Sequence, residues 1–135
     1  MGSERPRARR LVVDGADDLA VVGTDVFQHD LWELAATRDG SGEPFQLRVE
    51  LHPVLPRSLR QARRVAVVGP HGHELGELPV ETAEEWHTGL QLLASLVPPY
   101  VLACNAEAWH TDGAPGGPLQ LTLHLDLEEL ARLTG

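Results

Sequence analysis

Hydrophobic and polar residues alternate with a period of two over three long stretches of this chain, and that period predicts β-strands. Phe45, Leu47, Val49 and Leu51 point one way while Gln46, Arg48 and Glu50 point the other. Leu119, Leu121, Leu123, Leu125 and Leu127 alternate with Gln120, Thr122, His124 and Asp126. A softer alternation places Tyr100, Leu102, Cys104, Ala106 and Ala108 on one face of a strand that ends at Trp109. Two short apolar runs closing on glycine, Leu19–Gly23 and Val65–Gly69, predict buried or edge-capped strands. His73–Leu78 predicts a sixth, after a turn at Gly69-Pro70-His71-Gly72.

At two places the period lengthens to that of a helix. Phe27, Leu31, Leu34 and Ala35 share one helical face, with Asp25 as the expected N-cap and Gln28 three residues on as its capping-box partner. Ala83, Trp86, Leu90 and Leu93 form the apolar stripe of a second helix that begins near Pro79, whose missing N–H is harmless in a first turn. Gly89 weakens that helix by ~1 kcal/mol relative to alanine, and Pro98-Pro99 ends it. Glu128–Leu133 leaves room for a short C-terminal helix. The pattern predicts an α+β, β-rich fold of six strands and two helices, at the spacing of a small barrel or sandwich. Its expected core joins Phe27, Leu31, Leu47, Val49, Val67, Trp86, Leu90, Leu121, Leu123 and Leu125, with Trp32 also packed near it.

Composition agrees with a folded domain. The chain has 135 residues, 42% hydrophobic and 23% charged, enough to bury a core without a staple. The expected organisation is a basic flexible tail over residues 1–10 and one domain over residues 11–135. Cys104 is the only cysteine, so no intramolecular disulfide can form. No stretch reaches the ~20 apolar residues of a membrane span, and the basic first ten residues have no apolar run behind them. The expected location is cytoplasmic, with no membrane partner.

Charge is unevenly spread. Ten arginines and ten acids balance over residues 1–70, whereas residues 71–135 set Arg132 alone against ten acids, so that half supplies the whole net charge of -9. There is no lysine. Arginines cluster twice, as Arg5, Arg7, Arg9 and Arg10 in the tail and as Arg57, Arg60, Arg63 and Arg64 in one loop. An acidic body opposes adhesion to polyanions, so any binding of nucleic acid must come from these clusters.

In order along the chain, four segments together resemble a HIRAN-type domain over roughly four-fifths of its length. They are Val21-Val22-Gly23 with Phe27 and the helix through His29-Asp30-Leu31; Phe45 to Pro53; Val65-Ala66-Val67 with Leu75 to Pro79 and the helix through Trp86; and Cys104-Asn105-Ala106 leading to the last leucine strand. The resemblance implies a small OB/SH3-like barrel carrying two helices. It also implies a non-catalytic binding module, of a family that grips single-stranded DNA at its 3′ end. The family's Asn-Pro-x-Asp-x-Asn-Ala-like loop is replaced here by Pro56-Arg57-Ser58-Leu59-Arg60-Gln61-Ala62-Arg63-Arg64, and its aromatic nucleotide-binding stretch is reduced to Phe27.

The candidate ligand-binding residues are therefore Phe27, Arg57, Arg60, Arg63, Arg64 and Trp109. Guanidiniums offer planar forks for phosphate, though a solvated loop pairing with the domain's own acids is the commoner outcome for a charge run. Trp109 ends a strand beside a Gly-rich loop, where an aromatic ring can meet a ligand. The expected partners are a weakly held single-stranded nucleic acid or another protein chain. His71 and His73 suit a metal by residue type, but no third ligand stands at recognisable spacing, so no metal is expected. No phosphate loop, dinucleotide fingerprint or serine elbow occurs, so no cofactor is implied. The alternative is a small enzyme with a ligand pocket in the barrel mouth, drawing on His29, Asp30, His52 or Cys104.

Overall fold

The computed structural model describes residues 9–36, 44–54, 63–110 and 118–134. Strands β1 (Arg9–Val12) and β2 (Asp14–Ala20) come first, followed by a 3-10 turn (Thr24–Phe27) and helix α1 (Gln28–Ala36). Strands β3 (Phe45–Val54), β4 (Arg64–Val68) and β5 (Glu74–Glu77) lead to α2 (Val80–Ala94). Strands β6 (Tyr100–His110) and β7 (Leu119–Leu125) and helix α3 (Leu127–Thr134) complete the chain.

The described strands form one seven-stranded sheet in the order β2-β7-β6-β3-β4-β5, with β1 added alongside β6. Every pairing is antiparallel except that of β1 with β6, which is parallel. One edge of β6 is shared. Residues 100–103 pair with β1 and residues 105–110 with β7. The chain changes neighbour at Val13, whose N–H donates to the Ala103 carbonyl while its own carbonyl accepts from Asp126 just past the end of β7.

The expectation of six strands is corrected to seven, and the sheet is not closed into a barrel. The added strand comes from the N-terminal segment. Asp14-Gly-Ala-Asp-Asp carries no apolar alternation because it is an exposed edge, held by backbone pairing and by its acids rather than by burial. The Asp14 carboxylate accepts from the Asn105 N–H (2.7 Å) and that of Asp17 from the Leu127 N–H (3.0 Å). Arg9 and Arg10, expected in the tail, are already part of β1. The two ends of the sheet are nevertheless joined at one point, where Val22 and Glu77 exchange backbone hydrogen bonds of 2.9 Å. For residues just after β2 to reach β5, the sheet must curl strongly. Gly76 permits that approach, since a Cβ there would lie 2.4 Å from Val21 Cγ1 and 2.9 Å from the Val22 carbonyl oxygen.

The concave side holds a single hydrophobic cluster. It contains every residue of the expected core except Phe27, which is only half-buried at the end of the 3-10 turn. Trp86 of α2 is 6% exposed, as its stripe predicts. Trp32 departs from expectation: it lies one step round α1 from Leu31 and is 38% exposed. The expected Asp25 cap is also absent. Gly23, at φ 75°, precedes the 3-10 turn, with no side-chain capping bond. Gln28 turns instead to β7. Its amide donates to the carbonyls of Leu119 (2.8 Å) and Thr24 (2.9 Å) and accepts from the Leu119 N–H (2.8 Å).

Candidate functional site

The arginine loop divides into two parts. Arg57 and Arg60 lie outside the described residues. Arg63 precedes β4 with an exposed guanidinium, donates to Thr88 Oγ1 (3.0 Å) and makes no ion pair among the described residues. Arg64 opens β4 and clamps β5, donating to the carboxylates of Glu77 and Glu74. The hydrogen bond to Glu77 above all raises the Arg64 pKa. Arg64 thus ties β4 to β5 through both acids while its side chain stays 42% exposed.

Leucines facing the core leave the opposite side of β2, β7, β6 and β3 polar. Asp18, His124, Asn105 and Arg48 form one row across four strands. His124 Nδ1 donates to Asp18 (2.8 Å), and Arg48 reaches Asp14 (3.2 Å). Glu50 sits beside them. Burial would raise its carboxyl, but hydrogen bonds from His52 and Arg10 outweigh that and hold it below its ordinary value. Carboxylates of Asp14, Asp18, Glu50 and Glu107 outnumber the guanidiniums of Arg10 and Arg48 on this face, so it carries no field for a polyanion.

Trp109 lies half-buried on the same face, its indole N–H donating to Thr122 Oγ1 (3.0 Å) on β7. Its cross-strand neighbour Gln120 accepts from Thr24 Oγ1 (3.1 Å) at the start of the 3-10 turn. That turn, which carries Phe27, follows Val22, which is bridged to the Glu77 that holds Arg64. Thr24 thus ties the turn that carries Phe27 to β7 beside Trp109. Arg64 is already paired with Glu74 and Glu77.

No family model, curated protein or solved structure matches the chain. The site must be read from its own chemistry.

A cavity of about 300 Å³ opens between α1 and the β4–β5 turn. Leu34, Leu75 and Gly69 line its apolar part, and Asp30, Glu33, His71 and His73 its polar part. Sequence spacing hid this grouping, because α1 and the turn are about forty residues apart and meet only through the fold. The signal available was two chemistry-bearing pairs, Asp30/Glu33 one helical turn apart and His71/His73 on one turn. Among the described residues, no three His, Cys, Asp or Glu side chains converge as metal ligands.

The other acid and base candidates are scattered. His29 is exposed, 3.1 Å from Glu33. His52 bonds Glu50 on the convex face. Cys104 is buried in the core, where burial first and the nearby Asp14 carboxylate second push its thiol up to about 12. Such a thiol holds no reactive thiolate at neutral pH. Among the described residues, no helix is long and apolar enough to cross a membrane.

Proposed function

We propose that this chain is a non-catalytic binding module of HIRAN-like type that has lost the family's grip on a free 3′ end and holds single strands weakly. The observation that carries the reading is the tie between the ends of the sheet. The Val22–Glu77 bridge curls the strands toward a barrel, and α1 and α2 leave just after the two bridged segments, the strand and helix order the resemblance implies. The buried setting of Cys104 removes one candidate nucleophile. Weak binding is supported by the acidic convex face and by the engagement of Arg64.

With Arg64 engaged, Arg57, Arg60 and Arg63 remain to meet phosphates. Three such contacts give a log–log salt slope of about −2.1, at ~0.7 each. Stacking on Phe27 or Trp109 adds ~1–3 kcal/mol per base. The expected Kd for a plain single strand at physiological salt is above ~10 μM, within the range of non-specific contacts. Fluorescence anisotropy with oligonucleotides free or blocked at the 3′ end checks this. Tight binding that requires the free 3′ hydroxyl and disappears in Arg60→Ala/Arg63→Ala would overturn it.

One observation favours a second reading, a small enzyme with a ligand pocket. The cavity beside α1 gathers two carboxylates and two imidazoles, groups suited to acid–base work. Of the acids and bases that the sequence offers for that role, Asp30 lines the cavity, and His29 stands beside it through Glu33.

A further inference from the structure

We propose that the cavity between α1 and the β4–β5 turn binds a small organic cation with an apolar body, an amine whose ammonium group meets Asp30 and Glu33 while its hydrocarbon part rests on Leu34 and Leu75. This inference stands apart from nucleic-acid binding, which involves other residues.

The apolar part is built rather than incidental. Leu75 is 1% exposed and Leu34 8%, so both are anchored in the core and present only a side of their chains to the cavity. Gly69 keeps the floor at its depth: a Cβ there would lie 2.7 Å from Leu75 Cδ1. The wall opposite α1 is fixed by backbone hydrogen bonds across the turn, from the Gly69 N–H to the His73 carbonyl (2.9 Å) and from the Gly72 N–H to the Gly69 carbonyl (3.0 Å). A preformed wall lowers the entropy cost of holding a ligand. The volume stands at the small end of ligand pockets, which combine an apolar lining with a few placed polar groups.

The charge of the site selects the ligand. Asp30 and Glu33 line it from α1, three residues apart, with Glu33 also 3.1 Å from His29 Nε2, and none of the described arginines lines it. The negative body of the chain adds to the same field. An anion is disfavoured there. A bare divalent ion is a poor fit as well, because among the described residues the donors do not converge. An ammonium group supplies N–H donors to carboxylates that are charge-assisted acceptors, and its alkyl or aryl part covers the floor.

The test is titration of the ¹⁵N-labelled chain with 2-phenylethylamine, with its neutral counterpart 2-phenylethanol, with phenylacetate and with Zn²⁺. The expected result is amide shifts centred on Asp30, Glu33, Gly69 and His73, with the amine bound about tenfold more tightly than the alcohol, as one charge-assisted hydrogen bond allows. In the Asp30→Asn/Glu33→Gln variant, whose changes keep shape at exposed or half-exposed positions, the amine should fall to the affinity of the alcohol. Equal affinity for amine and alcohol would overturn the cation preference. Shifts centred elsewhere, absence of any shift, tighter binding of phenylacetate, or Zn²⁺ saturating the site in preference to the amine would each overturn the proposal. The oligonucleotide measurement is unaffected by all of these outcomes.

Discussion

Three tryptophans occupy three environments here, and burial decides what each contributes. Trp86 is locked between α2 and the strands, with Leu90 and Ala83 along the same stripe. Trp86→Ala should destabilise the chain by ~3–5 kcal/mol, the cost of deleting a buried aromatic, read as a fall in the urea midpoint. A change below ~1 kcal/mol would show that the helix packs without it. Trp109 has its N–H satisfied by Thr122 and keeps part of its ring open on the convex face, and Trp32 is more exposed still. Glu50 makes a pH prediction at the same scale. Its folded-state pKa lies below 4.5, so the stability it contributes is complete above that value and is lost as pH falls through the lower folded value. Glu50→Gln should therefore be less stable than the parent at neutral pH, and the two should converge in acid. A gap between their urea midpoints that persists undiminished in acid would overturn that assignment.

Elements were legible where burial imposed a period. β3, β7 and α2 carry strict patterns because each shows one face to the core, and their positions follow from sequence alone. β1 and β2 lack a pattern because they are edges, fixed by partners about a hundred residues distant. The start of α1 departs from its local pattern for a related reason. Gln28 reads locally as a capping partner, yet its amide is taken by Leu119, 91 positions away. Gln28→Ala removes three hydrogen bonds and should cost ~1–3 kcal/mol for the groups left unpaired. The Leu119 amide should then exchange with solvent markedly faster. Unchanged exchange there would mean water replaces the side chain without loss. Arg64 and the cavity follow the same logic: a charge run or a pair of histidines shows residue type, while its partners are known only once the strands are in register.

At the scale of the molecule, the charge asymmetry in the sequence turns into geometry. Acids of the C-terminal half, Glu74 and Glu77, take up Arg64 from the arginine-bearing half, so part of the positive loop is cancelled by the chain itself. What remains for an external polyanion is smaller than a count of arginines suggests. The shared edge of β6 has a different consequence, one of timing. Arg9 pairs opposite Tyr100, and Leu19 opposite Leu123, so β1 and β2 leave the ribosome about ninety to a hundred residues ahead of the strands that hold them. Val13 finds both its hydrogen-bond partners only when Ala103 and Asp126 have been made. Synthesis runs from the N-terminus, whereas these contacts are the longest-range in the fold and the slowest to form. β1 and β2 must therefore wait unpaired until β6, β7 and Asp126 have been made.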